Sequence, residues 1–156
     1  MLTLFAIFLV IAIGVLSATA VSARKNAVAT YMWLGEAGDY AARCVEMSGL
    51  ADSSSANAGY ARQYFDAGFS NITETAGSGD EYVPREGSPY PAPIRLTEFE
   101  PVNPGDQVPG GAADQQGYLI AVEAPVLSVS LPLIGSQSIE VPMKYYAVLR
   151  SAGLKN

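Results

Sequence analysis

Two pairs of acidic residues are the first candidates for chemistry in this chain. Asp80 and Glu81 are adjacent, and Glu98 and Glu100 are separated by a single residue. Paired carboxylates can serve as the general acid and base of a glycosidase, or can ligate calcium through their oxygen atoms. Neither pair has the Asp/Asn/Gly spacing of a known calcium loop. We therefore expect a solvated acidic surface, with no catalytic residue, no cofactor and no metal site.

The amino-acid composition excludes most other kinds of catalytic and metal-binding site. The chain has 156 residues, no histidine, one cysteine and a net charge of -6. Without histidine there is no imidazole for zinc ligation or for activation of a serine or cysteine nucleophile. The single Cys44 excludes an internal disulfide, and the acidic balance argues against a nucleic-acid site. We expect Cys44 to be a buried structural thiol, and we expect no enzymatic activity.

A short glycosylation motif is the one modification signal. Asn71, Ile72 and Thr73 form the sequence Asn-X-Thr, which accepts N-linked glycans when it lies on a surface. The motif falls in an apparent loop of the predicted fold. Asn71 is therefore a possible glycosylation site.

The most informative feature is the uncharged N-terminal segment. Residues 1–23 carry no charge, and a helix of that length reaches roughly 30 Å, the thickness of a bilayer's hydrocarbon core. A signal peptide, a single-span anchor and a processed pilin all fit this pattern. A signal peptide normally has basic residues before its apolar run, and none precede it here. A simple anchor would place Arg24 and Lys25, and the acidic remainder, in the cytoplasm. A pilin whose short basic leader has been removed fits best.

The helix is expected to continue beyond the apolar run. Residues 25–48 contain no proline and many good helix formers, and Gly49 is a plausible stop. Four charged residues fall on one face and small or apolar residues on the other: Glu36, Asp39, Arg43 and Glu46 against Leu34, Gly38, Ala41, Val45 and Ser48. This predicts one helix in two environments, apolar over residues 1–25 and amphipathic over 26–49.

Residues 50–156 are predicted to form a small head. A short helix is expected near 54–67, and two Gly/Pro-rich stretches, 76–93 and 101–117, read as exposed connections. Three segments have the alternation of strands: Ile94–Val102, Tyr118–Val129 and Ser138–Arg150. The predicted fold class is α+β, a long pilin-type N-terminal helix with a head containing a short helix and a three-stranded antiparallel sheet.

This layout resembles the type IV pilin superfamily, and most closely the TadE-like pilins and pseudopilins of tight-adherence systems. The resemblance is carried by the apolar N-terminal helix, by its continuation ATYMWLGEAGDYAARCVEMSG, and by the C-terminal pair GYLIAVEAPVLSVSLPLIGSQSIEVPMKYYAVLRSAG. It covers most of the chain except roughly residues 70–115. The fifth residue is Phe5, where bacterial members usually carry a glutamate.

The resemblance implies a structural subunit of an extracellular type IV-like filament on the cell surface, assembled from a membrane-inserted precursor. Its implied partners are identical subunits in a helical polymer, the membrane before assembly, a prepilin peptidase and the pilus assembly machinery. The residues expected to pack in the filament core are Leu2, Leu4, Phe5, Phe8, Val10, Ile13 and Leu16. The alternative is a minor pseudopilin, or a membrane-anchored extracytoplasmic binding domain, that forms no long fibres.

Overall fold

The computed structural model describes residues 2–49, 55–131 and 135–150. It contains two helices, α1 (Leu2–Met47) and α2 (Ser55–Ile72). The strands are β1 (Thr75–Ser78), β2 (Glu81–Pro84), β3 (Ile94–Val102), β4 (Gln107–Val108), β5 (Gly111–Ala112), β6 (Gly117–Leu131) and β7 (Gly135–Val148). The α+β class with a long N-terminal helix is confirmed.

Helix α1 is one unbroken helix of 46 residues. No proline interrupts it, so the backbone hydrogen bonds continue from the apolar half into the amphipathic half. The helix ends where the Gly49 N–H donates a hydrogen bond to the Glu46 carbonyl and Gly49 adopts a φ of 72°. A left-handed residue at this position is the common way to end a helix, and it is open to glycine without strain.

Helix α2 packs against the core through apolar residues spaced along one of its faces. Ala61, Phe65 and Phe69 recur every four residues and are fully buried, and the two phenyl rings stack at 5.2 Å between centroids. These contacts extend the helix to Ile72, five residues beyond the predicted end at residue 67. The predicted first residue of this helix, residue 54, lies outside the described residues.

The prediction of a three-stranded sheet was wrong, because the antiparallel sheet has five strands in the order β1-β2-β3-β6-β7. The three predicted strands are β3, β6 and β7, each close to its predicted bounds. Of the two additional strands, β2 lies within the stretch 76–93, which the sequence predicts to be an exposed connection, and β1 begins one residue before that stretch. A separate ribbon of β4 and β5 occupies the second such stretch. Tyr82 explains the first correction, since its ring packs edge-on against Phe65 and Phe69 and secures β2 to α2.

The core lies between the sheet and the two helices, which both cover the same face. On α1 the buried apolar residues are Leu34, Ala37, Ala41, Ala42 and Val45, while Ser48, predicted to face inward, is exposed. On β6 the fully buried alternate set is Tyr118, Ile120, Val122 and Ala124, and Met143 and Ala147 join it from β7. The period-two alternation of these strands thus places their apolar set against the helices.

Candidate functional site

The N-terminal half of α1 is an apolar helix, and its described side chains are not buried against the described part of the head. Val10, Ile13 and Leu16 are 68%, 55% and 70% exposed. The other large apolar residues exposed along this half are Ile7, Leu9, Ile11, Val15 and Val21. Soluble proteins rarely leave so large a continuous apolar surface in water. Of the predicted filament-core residues, Leu2, Leu4, Phe5 and Phe8 lie on the same helical backbone, but their side chains are outside the described set.

This half also suits an environment without water. By length and composition α1 could cross a membrane, and none of its apolar window is buried inside the chain. The hydroxyl of Thr19 donates to the Val15 carbonyl at 2.8 Å, one turn earlier. A polar side chain that bonds its own helix leaves no unsatisfied donor in an apolar medium.

Contact with the head begins just at the end of the uncharged run. Among the described side chains of α1, Ala23 is the first that packs against the core, and Arg24 and Lys25 follow it on the exposed surface. The side-chain amide of Asn26 then donates to the carbonyl of Val126 on β6, at 3.1 Å. The change from free apolar helix to packed helix therefore coincides with the first charges in the sequence.

The two acidic pairs of the sequence do not come together. Asp80 lies 3.2 Å from the Arg62 guanidinium, and Glu98 lies 2.6 Å from the Lys144 ammonium. Across residues 2–49, 55–131 and 135–150, no group of three or more acidic or cysteine side chains could hold a metal ion. Each of these two carboxylates therefore already has a basic partner.

A polar cluster between α2 and the β1–β2 turn was not foreseen from the sequence. The Arg62 Nε donates to Asp66 at 2.7 Å, and one of its terminal nitrogens donates to the Gly79 carbonyl at 2.8 Å. The Tyr82 hydroxyl also donates to Asp66. Burial, with the neighbouring Asp66 carboxylate, raises the pKa of Tyr82 far above its ordinary value of 10, so this tyrosine is a neutral donor. The cluster fastens α2 to the edge of the sheet.

Two further tyrosines fasten α1 to the head. The Tyr145 hydroxyl donates to Asp39 at 2.9 Å, and burial followed by this hydrogen bond raises the pKa of Tyr145 to about 12. The Thr30 hydroxyl donates to the Asn26 carbonyl, so the Tyr90 hydroxyl is the donor in its 2.7 Å bond to Thr30. Burial raises the pKa of Tyr90 to about 12. These tyrosines anchor the amphipathic half of α1.

The single cysteine and the glycosylation motif both lie near α1 and α2. Cys44 is half-buried on α1, and its hydrogen bond with Tyr40 raises the pKa of that tyrosine. Asn71 is exposed on the last turn of α2, so the expectation of a loop at this position was wrong. Thr73 of the motif is buried, and its hydroxyl donates to the Phe69 carbonyl at 2.6 Å. Modification of Asn71 stays a prediction.

No family model, curated protein or solved structure matches this chain. The evidence for its function therefore lies in the geometry of the molecule itself. Its most distinctive feature is an apolar helix, about half of α1, that its own head leaves uncovered.

Proposed function

We propose that this protein is a structural subunit of an extracellular type IV-like filament, in which the N-terminal halves of many α1 helices pack into an apolar core. The observation that carries the proposal is the exposure of Val10, Ile13 and Leu16 on a helix that continues, without a break, into the packed half of α1. The role is structural rather than catalytic.

The physics of the exposed half supports a transfer between two apolar environments. In the membrane, lipid covers this surface; in a filament, neighbouring helices would cover it. Because both are apolar, the transfer gains little from dehydration, and the packing of side chains must provide the specificity. Small residues allow helices to approach closely, and a Cβ added to Gly14 would meet nothing within 4 Å among the described residues beyond its own turn of helix. The surface around Gly14 is thus free for a neighbouring helix.

Charge supports an outward-facing head. The first charged residue is Arg24, so residues 1–23 can enter an apolar core without carrying an ionised group into it. The head carries most of the acidic residues of a chain whose net charge is -6. In the proposed filament the acidic heads form the surface in contact with water.

The proposal includes the partners that the resemblance to pilins implies. A leader peptidase would process the membrane-inserted precursor, and an assembly machine would extract α1 from the bilayer into the growing polymer. Identical subunits are then the principal partner of the mature chain.

Electron microscopy of the full-length protein, expressed with its assembly machinery and sheared from the cell surface, tests the proposal. Long filaments that contain this chain as their main protein would support it. A protein that stays in the membrane fraction as a monomer, with no filament under conditions that assemble a control pilin, would overturn it. That result would favour a minor pseudopilin or an anchored binding domain.

A further inference from the structure

An apolar face of α1 continues past the uncharged segment, on the side away from the head. Val28 and Met32 are 53% and 66% exposed, although both lie beyond Arg24, in the part of α1 that packs against the head. Each residue of an α-helix adds about 100° of rotation, so Met32 lies about 160° from the buried Thr30 and Leu34. The head therefore leaves this apolar side of the helix uncovered.

A regular stripe runs back from Met32 along α1 in alternating steps of four and three residues. We call this stripe the α1 seam: Ile7, Ile11, Gly14, Ala18, Val21, Lys25, Val28 and Met32. All of these residues are exposed, and all except Lys25 are apolar or small. The mean step is 3.5 residues, the spacing at which two α-helices pack side by side in a left-handed coil.

The seam ends where the head begins to cover this line of the helix. The next position in the same spacing is Gly35, where an added Cβ would be 3.1 Å from the Tyr145 Cε2. An α-helix turns about 20° away from a 3.5-residue spacing in each heptad, and this drift brings the line round to the head. Residues 1–23 are uncharged on every side, so it is Val28 and Met32 that single out this face from the others.

The shape of the seam suits close contact with a second helix. A Cβ added to Gly14 would meet nothing within 4 Å among the described residues beyond its own turn of helix, and Ala18 follows one turn later. Small residues at this spacing let two helix backbones approach closely. Further along, Val21, Val28 and Met32 border a shallow groove into which side chains of a facing helix can pack.

Lipid alone does not cover the whole seam. From Ile7 to Met32 the helix rises about 37 Å, whereas the hydrocarbon core of a bilayer is about 30 Å thick. With residues 1–23 in the hydrocarbon, Met32 lies about 13 Å beyond Ala23, at the level of the head. A second helix of the same length covers the seam over its full extent.

From the spacing, exposure and length of the seam, we infer that two copies of this chain associate in the membrane as a parallel, in-register pair through the α1 seam. Identical chains inserted in one membrane share orientation and depth, so each seam residue meets its own counterpart across a two-fold axis. The two heads lie on the outer sides of the pair. The inference rests on membrane insertion of α1, which the proposed function also requires, and goes beyond it because no polymer is needed.

Lys25 makes the pair weaker than a wholly apolar seam would. In register, the two lysines lie on opposite sides of the seam just beyond the uncharged segment, where their long side chains can carry the ammonium groups into the lipid headgroups. A polar residue at a seam position specifies register and oligomeric state at a cost in stability. The pair is therefore reversible, and single subunits can be withdrawn from it.

Disulfide cross-linking of the full-length protein in phosphatidylcholine vesicles tests the inference. In a Cys44→Ala background, one cysteine is introduced at Val21, at Val28 or, as the matched control, at Leu16. Leu16 is 70% exposed but lies two residues before Ala18, on the other side of the helix. A disulfide needs Cα atoms within about 7 Å, so a position links to its own counterpart only where two helices meet in register. An excess of lipid keeps chance collisions rare.

After oxidation with copper phenanthroline, we expect Val21→Cys and Val28→Cys to run mainly as dimers on non-reducing gels and Leu16→Cys to stay monomeric. Equal linking at all three positions, or linking at Leu16 alone, would overturn the seam. If no variant forms a dimer in vesicles from which alkaline washing does not release the chain, the pairing is overturned while membrane insertion and the filament proposal stand. Because microscopy judges filaments separately, a chain that pairs but forms none would overturn only the proposed function.

A second measurement is independent of disulfide chemistry. Donor and acceptor dyes are attached to a cysteine introduced at the exposed Ala112, in the same Cys44→Ala background, and energy transfer is followed as the vesicles are diluted with lipid. Lys25→Leu removes the facing charges, so transfer should persist to lower protein-to-lipid ratios than with Lys25. Arg24→Leu, which changes a charge beside the seam, should have a smaller effect. Weaker pairing of Lys25→Leu would overturn the in-register arrangement.

Discussion

Tyr145 on β7 donates a hydrogen bond to Asp39 on α1 across 2.9 Å, and so joins the last strand of the sheet to the long helix. The same ring meets Tyr31 edge-on, with 6.2 Å between centroids. It also lies against Gly35, where an added Cβ would be 3.1 Å from the Tyr145 Cε2. One side chain therefore fixes the distance between α1 and β7 over two turns of the helix.

Replacing this tyrosine should weaken the head without unfolding it. Tyr145→Phe keeps the ring contacts and removes the hydrogen bond to Asp39, at a cost of about 1 kcal/mol. Thermal unfolding of the full-length protein in detergent, followed by circular dichroism, measures the effect. Tyr60→Phe, at an exposed position of α2, is the matched control and should leave the transition unchanged. Equal transitions for Tyr145→Phe and the wild type would show that the bond contributes nothing.

Stability should fall at alkaline pH. The pKa values of Tyr145 and Tyr90 are raised from 10.0 to about 12 in the folded protein. Because the folded state holds these protons more tightly than the unfolded state does, their contribution is complete below pH 10 and is lost as the pH rises toward 12. Unfolding measured at a series of pH values should show a declining midpoint over this window. Tyr90→Phe should make the decline shallower, and an unchanged slope would contradict the assignment.

Two glycines of α1 should respond differently to the same substitution. A Cβ at Gly38 would lie 3.1 Å from Ile120, 3.2 Å from Tyr145 and 3.3 Å from Ala147, whereas one at Gly14 meets nothing within 4 Å. Gly38→Ala should therefore lower the free energy of unfolding of the head, since crowding of about 1–3 kcal/mol outweighs a gain in helix propensity of about 1 kcal/mol.

Gly14→Ala should leave head unfolding unchanged and, under the proposed function, should reduce filament yield. Denaturation curves and filament counts from the same two variants provide the comparison. Destabilisation of the head by Gly14→Ala would show that the apolar half contacts the head after all.

A charge in the apolar half should prevent assembly. Val10→Asp places a carboxylate on a helix face that the proposed filament buries among apolar neighbours, at a cost of several kcal/mol. Filaments should be absent by electron microscopy, while circular dichroism of the head stays that of the wild type, because Val10 is 68% exposed and lies outside the packed core of the described residues. Val10→Leu is the matched control and should assemble. Wild-type filament levels from Val10→Asp would refute the packing proposal.

Removing residues 1–25 should release a soluble, folded and acidic monomer. The truncated chain keeps Asn26, Thr30 and all buried residues of α1, so its amphipathic half can still pack on the sheet. Size-exclusion chromatography and circular dichroism decide the outcome. A folded oligomer would locate the assembly surface in the head, and an unfolded product would mean that the head depends on the apolar half.

Sequence patterns predicted the long helix and the long strands because each has enough residues to show a regular spacing of apolar side chains. An uncharged run followed by a proline-free amphipathic stretch predicted α1 to within a residue of its end at Met47. Alternation predicted β3, β6 and β7, but could not reveal which face of the sheet is buried. That choice depends on where the helices pack, which only the tertiary structure shows.

The short strands were not predicted because their sequences are too short to show the apolar–polar alternation of a strand. Strands β1 and β2 have four residues each and include Gly77 and Pro84, which read as turn residues in isolation. They form a hairpin because Tyr82 is buried against α2 and hydrogen-bonded to Asp66. These two residues lie 16 positions apart in the sequence, and no local pattern indicates that they meet. The Arg62–Asp66–Tyr82 cluster was missed for the same reason.

Helix α1 and strand β6 run side by side in opposite directions, because Gly38 lies beside Ile120 while Asn26, earlier on the helix, donates to the carbonyl of Val126, later on the strand. This arrangement has a mechanical consequence. A pull on the N-terminal half of α1, whether from a membrane or from a strained polymer, acts along the helix axis and therefore parallel to its contacts with the sheet. Under such shear the contacts at Asn26, Gly35 and Gly38 share the load instead of breaking one after another. A larger force is therefore needed to separate the head from α1 along the helix axis than would be needed if its contacts were loaded one at a time.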